Sequence, residues 1–274
     1  MTEAILNRWE MSPSLAGRTL NGAATLWFVV AAIGHWIFVA YLIGHYGPLV
    51  FQNGLEGLAE SAMPHGYVRG DLVGNAAALS HILLATIVIG GGPLQLIPEI
   101  RIRFPRFHRW LGRSYLVAAV ISAVAGLYMI WTRGTVGDLV TQLAITGDGI
   151  LIFICAAFAL RFAMARNFTR HRRWALRLFM VASAVWFFRV GLMGWTTLTG
   201  GIGINWETFT GPFIYFLGFG QYLVPLVVLE MYFRARDRKE PVSQIAVAIT
   251  ITALTVFMGI GIFAATMGMW LPRI

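Results

Sequence analysis

AAALSHILLATIVIGGGPLQLI (Ala76–Ile97), PEIRIRFPRFHR (Pro98–Arg109) and WLGRSYLVAAVISAVAGLYMIW (Trp110–Trp131) follow one another without a gap. The two outer segments are almost wholly apolar, and the middle one gathers Arg101, Arg103, Arg106 and Arg109. An α-helix rises about 1.5 Å per residue and a bilayer's hydrocarbon core is about 30 Å thick, so about 20 apolar residues cross it. Each apolar run has that length. A β-barrel strand would alternate polar and apolar residues, and these runs do not. The stretch reads as two membrane-crossing helices joined by a short basic loop.

The rest of the chain is built on the same plan. Of its 274 residues 58% are hydrophobic and 12% charged, with mean hydropathy +0.70. A soluble globule carries about 25% charged residues, so a water-soluble fold is excluded, along with a disordered chain and a nucleic-acid-binding domain. The single Cys155 sits in an apolar run and forms no internal bridge, which excludes a disulfide scaffold. The expected fold is therefore all-α, a polytopic helix bundle. Seven spans are expected: Ala23–Ile43, Ala76–Ile97, Trp110–Trp131, Ile145–Ala165, Trp174–Trp195, Phe213–Phe233 and Ile245–Leu271. Arg161 falls near the end of the fourth and must snorkel. The first apolar stretch begins late and is long enough to span, so it reads as a helix rather than a signal peptide. No linker divides the chain, and residues 1–274 read as one bundle.

The net charge of +9 is placed as membrane topology places it. Arg8 and Arg18 precede the first span. Arg101, Arg103, Arg106, Arg109 and Arg113 surround the second loop; Arg161, Arg166, Arg170, Arg172, Arg173 and Arg177 the fourth; Arg234, Arg236, Arg238 and Lys239 come after the sixth span. With seven spans these lie on one side, opposite Arg69, Arg133 and Arg273. The positive-inside rule then puts the N-terminus in the cytoplasm and the C-terminus outside. Arginine outnumbers lysine 20 to one, a bias of GC-rich coding that points to a bacterial inner membrane. The outer stretch Gly47–Asn75 contains Leu49, Phe51, Leu55, Leu58 and Met63 among polar residues. It reads equally as a surface-lying helix or as an ordered loop capping the bundle. Trp110, Trp131, Trp174 and Trp195 bracket two spans, as interfacial anchors do.

Two inner loops echo each other: HRWLGRSY (His108–Tyr115) opens the third span and HRRWALRLFMVASAVWFFR (His171–Arg189) the fifth. On these motifs, together with His81 and Gly92-Pro93-Leu94-Gln95 in the second span, residues 75–195 resemble a bacterial membrane-protein family, domain-of-unknown-function family 2306. Ala175-Leu176 departs conservatively from the methionine and isoleucine usual there. The resemblance implies a membrane-embedded fold and no particular activity.

Polar groups in a bilayer cost a few kcal/mol each and call for partners. Glu99 and Glu230, at inner helix ends, are expected to pair with the arginine collars. His35 lies about 12 Å below the outer end of its helix, and His81 about 7–8 Å into the second span. Antiparallel neighbours of this kind could face one another, with His45 a third candidate. On the inner side His108 and His171 begin their spans at matching depth. One histidine pair near each face is the arrangement of a transmembrane b-type cytochrome, whose iron takes two axial imidazoles. Propionates suit arginine: Arg109, Arg113, Arg172 and Arg177 inside, Arg189 towards the outer half. Tyr115, Trp186, Phe187 and Phe188 could wall such sites. No CxxCH motif is present, so covalent c-type haem is excluded. Copper on these histidines would want methionine or cysteine at matching spacing. Arg189 lies about 18 Å beyond Arg177 and is expected either to pair with Asp148 or to meet a propionate, a quinone carbonyl or an anion. Gly90-Gly91-Gly92-Pro93 permits close helix contact or a kink beside a cofactor.

There is no phosphate loop, no GxSxG and no HExxH. Three readings stand: a His-ligated haem b protein transferring electrons, with quinone as a partner; a non-redox accessory or assembly subunit of a larger respiratory complex; and a small transporter, weakened by the lack of an inverted repeat with broken helices.

Overall fold

The computed structural model describes residues 14–274 apart from 62 and 64; Arg8 lies outside the described residues. Nine helices carry the fold among them: α1 (Leu15–Asn53), α2 (Leu72–Leu96), the short α3 (Pro98–Arg103), α4 (Pro105–Thr132), α5 (Leu139–Met164), α6 (Phe168–Ala182), α7 (Ala184–Thr199), α8 (Pro212–Arg238) and α9 (Pro241–Ala265). Six elements are long and apolar enough to cross a membrane. The α6–α7 pair, bent by 52°, makes a seventh if counted as one span. The chain is thus a polytopic membrane helix bundle.

Several helices start where the sequence supplies a cap. Ser14 Oγ accepts from Gly17 N–H at 3.1 Å, and Asp71 Oδ1 from Gly74 N–H at 2.9 Å. Asp138 caps α5 through Val140 and Thr141, and Asn167 caps α6 through Arg170. Proline opens α3, α4, α8 and α9, where its missing N–H costs nothing. The 39 residues of α1 measure about 58 Å, well beyond the hydrocarbon core. No breaker stops the helix before Gly54, whose φ of 60° suits glycine.

On α1 the exposed residues Leu26, Val29, Ile33 and Trp36 are as apolar as the buried Ala31, Phe38, Val39 and Leu42. A helix apolar all round belongs in lipid. The bundle closes through small residues: a Cβ on Gly34 would strike Trp186 and Ile262, and one on Gly261 would strike the backbone of Val190.

The break between α6 and α7 has a physical cause. His35 Nδ1 donates to Ala31 O at 2.7 Å, so Nε2 of the neutral ring accepts from Ser183 Oγ at 3.1 Å. A serine hydroxyl drawn across to another helix, at a residue with φ −96° and ψ 3°, ends α6, and α7 restarts at another angle.

Of the two readings for Gly47–Asn75, the capping loop is the one formed. Helix α1 continues to Asn53, a 3-10 turn covers Gly54–Glu60, and Leu58 is fully buried against the bundle. Arg133, at the end of α4, fastens residues 65–75 beyond that turn. Its Nε and Nη2 meet Asp71 Oδ2 at 2.9 and 2.7 Å, Nη2 also reaches Asn75 Oδ1 at 2.7 Å, and Nη1 donates to His65 O at 2.9 Å.

The Gly74 N–H and the Arg133 guanidinium hold the Asp71 carboxyl below the usual carboxylate range. Tyr215 O–H and the N-terminal amides of α5 do the same for Asp138. A depressed folded pKa contributes stability that is fully present above the unfolded value of about 3.9 and is lost as pH falls through the folded value. The thermal midpoint in detergent should therefore stay level with respect to these two groups down to about pH 4 and fall below it. Asp71→Asn should flatten that acid limb, and an unchanged limb in the variant would refute the assignment.

Candidate functional site

At the basic end of the bundle, α4 and α6 each begin with a histidine in their first turn. Pro105 opens α4, and its first turn carries His108, whose backbone carbonyl accepts from Gln95 Nε2 at 3.2 Å. Asn167 caps α6, and its first turn carries His171. The two imidazoles lie within electrostatic reach of each other, and Arg101 and Arg109 also act on His108. His171 Nδ1 donates to Ala159 O on α5 at 2.9 Å. That bond fixes the tautomer and leaves Nε2 with no hydrogen bond among the described residues. His108 Nδ1 is buried without a partner, and so is the hydroxyl of Tyr115, two turns further along α4. Buried polar atoms left unpaired are rare and call for a ligand or water.

The glycine run on α2 faces this region. A Cβ on Gly91 would press on Leu111, and one on Gly92 would strike Phe179 and come within 3.3 Å of Tyr115. The run serves close helix contact, and Pro93 sits inside α2 without ending it.

The arginines expected here have separate fates. Arg177 pairs with Glu230 at 2.6 Å and lies over the rings of Trp174 and Phe233, so its charge is already matched. The expected pairing of Glu230 with the collar is thereby found. Arg113 stacks over Trp110 at 5.7 Å. Neither Arg109 nor Arg113 forms an ion pair among the described residues.

Away from the basic end, His81 and Arg189 lie within electrostatic reach of each other, without His35. His81 Nδ1 lies 2.8 Å from Ser122 O and 3.1 Å from Ser122 Oγ, and its edge packs on Gly126. Its Nε2 has no hydrogen bond among the described residues. Arg189 lies within electrostatic reach of His81, Tyr41 and Tyr46, covers the Phe38 ring at 5.4 Å and donates to Val185 O at 3.3 Å. The expected ion pair with Asp148 is not formed: Asp148 Oδ1 is buried without a partner, and no carboxylate meets Arg189 among the described residues.

His35 does not face His81. Both its nitrogens are bonded, and its ring is fully buried, stacked on Phe179 and tilted against Trp186 at 4.1 Å between centroids. It works as the pin of the α6–α7 break. His45 is tied to the C-terminal turn through Arg273 O at 3.0 Å. No group of three or more histidine, cysteine, aspartate or glutamate side chains suited to a metal occurs among the described residues.

Ser122, Ser183 and the Ala159 carbonyl escape a reading of the sequence. The two serines had a signal, as hydroxyls inside apolar runs; a carbonyl acceptor has none.

No curated protein and no solved structure matches the chain. The family described as "Predicted membrane protein (DUF2306)" matches residues 78–234, which reaches from α2 past the paired histidine motifs and through most of α8. Since that match takes in more than half of the chain, with both histidine motifs inside it, the protein is a member of the DUF2306 family of predicted membrane proteins.

Proposed function

We propose that this protein is a membrane redox protein that binds haem b between His108 and His171. The observation that carries the reading is the inner pair itself. Two imidazoles from different helices lie within electrostatic reach of each other, and one of them is held through Nδ1 by a backbone carbonyl with Nε2 unbonded. Histidine ligands are usually oriented in this way, by a hydrogen bond from the nitrogen that does not bind the iron. Bound haem would supply one-electron chemistry at a potential set by burial and by bonds around its ligands. Arg101 and Arg109, which act on His108, are the cations that would serve its propionates, with Arg113 one turn further along α4, and Tyr115 offers a hydroxyl that nothing else among the described residues uses. By the positive-inside rule this end faces the cytoplasm of a bacterial cell. A quinone of the bilayer, or a larger respiratory complex, is the electron partner this reading calls for.

The test is an absorption spectrum of the detergent-purified protein, oxidised and dithionite-reduced, with a pyridine haemochrome assay. A Soret band that shifts on reduction is expected, at about one haem per chain. His171→Ala and His108→Ala should each abolish it. His35→Gln should leave it, because both nitrogens of His35 are engaged elsewhere. A colourless, folded protein from haem-replete cells would sink the reading and favour the accessory role.

A further inference from the structure

A cleft of about 400 Å3 opens on the side of the bundle among α1, α6, α7, α8 and α9, with Leu176, Met180 and Phe187 of the second histidine motif in its wall. Its lining on α8 runs from Phe216 to Arg236 with helical spacing, a length of about 30 Å. That is the thickness of the hydrocarbon core, so the slot is long enough for an extended acyl chain. Trp27, Met180, Phe187, Val224 and Leu254 give it an apolar wall. Gln221, towards the end away from Arg236, is polar, and its amide nitrogen donates to Gly218 O at 2.7 Å. Gly220 keeps the slot open: a Cβ there would meet nothing nearer than 3.6 Å.

One end of the slot is different. Tyr232 and Arg236 line it, and Arg236 and Arg101 both lie within electrostatic reach of Arg172. None of the ion pairs among the described residues takes in Arg101, Arg172 or Arg236. Like charges gathered in this way repel, and an anion placed among them relieves the cost.

We propose that the slot holds one acyl chain of an anionic phospholipid, with its phosphate at Arg236, the arginine that lines its end. A neutral isoprenoid would leave the arginines uncompensated, and a soluble anion would have no use for about 30 Å of apolar wall. Lipid tails are as apolar as the slot, so the chain gains little by leaving the bilayer. Selectivity must then come from the head group, as it does at basic pockets between transmembrane helices.

The test is native mass spectrometry of the full chain with equimolar phosphatidylglycerol and phosphatidylcholine of identical chains. One phosphatidylglycerol per protein is expected, favoured by about fivefold for each arginine engaged. Arg236→Gln should reduce that preference about fivefold, while Gly220→Leu should reduce retention of either lipid with the basic cluster intact. Unchanged thermal midpoints confirm that both variants fold. Equal adducts of the two lipids, a preference that survives both substitutions, or a retained neutral isoprenoid would each overturn the proposal. Neither variant touches His108 or His171, so haem content reports separately on the redox reading.

Discussion

Arg133→Met should free the 54–75 cap from the bundle while the helices beneath it stay assembled. The side chain of Arg133 is 5% exposed, and its guanidinium serves two side chains and several carbonyls in the 65–75 stretch. Methionine keeps the aliphatic bulk and removes every donor. Asp71 then loses its counter-charge, Asn75 Oδ1 a donor, and the His65 and Gly66 carbonyls their partners. Asn75 also holds Val68 through paired bonds at 2.9 Å, so the 65–71 stretch would keep that tie and lose the others. Lysine cannot substitute, because a single ammonium does not fork across Asp71 and Asn75 together. Limited proteolysis reads the result: cleavage within residues 54–71 should speed up by about tenfold or more through local opening. Arg133→Lys should fall between wild type and Arg133→Met. Unchanged cleavage in Arg133→Met would show that Leu58 and its apolar neighbours hold the cap alone.

Bilayer physics makes the spans legible. A run such as Ala76–Ile97 has few other homes, and the six long helices with the bent seventh lie where apolar length and flanking arginine put them. Helix ends are less legible: α1 begins at Leu15 and ends at Asn53, well outside Ala23–Ile43, because a cap and a breaker, not hydropathy, set its limits. Counting residues put His108 and His171 at the starts of their helices, and they lie within electrostatic reach of each other. Rotation about the helix axis is what counting does not give. His35 and His81 sit on neighbouring helices, yet one turns towards Ser183 and the other towards Ser122. Arg189 and Asp148 missed each other for the same reason. The 52° bend in the fifth span could not be foreseen either, since no proline or glycine marks it; it depends on a hydroxyl meeting a histidine 148 residues away.

That meeting place is also where the bundle is most easily broken. Trp186 is fully buried, lies against His35 and Phe187, and donates to Gly34 O at 3.2 Å. Gly34 is small so that the indole can approach. In water, replacing a buried tryptophan by alanine costs about 3–5 kcal/mol. Here the unfolded helices remain in an apolar medium, so the transfer part of that cost is missing and the packing part remains. Trp186→Ala should therefore cost about 3 kcal/mol, the lower end of the range. Trp186→Phe keeps an aromatic face on His35 and gives up the bond to Gly34 O; it should cost about 1 kcal/mol. Unfolding in mixed detergent micelles of rising sodium dodecyl sulfate fraction measures both. The two losses should also appear in the helix pairing, because the indole joins α7 to α1 at the level where α6 ends. If Trp186→Ala unfolded no more easily than Trp186→Phe, His35 and Ser183 would be holding the break by themselves. Combining Trp186→Ala with Ser183→Ala would then separate the two contributions, since the serine hydroxyl also holds the ring of His35.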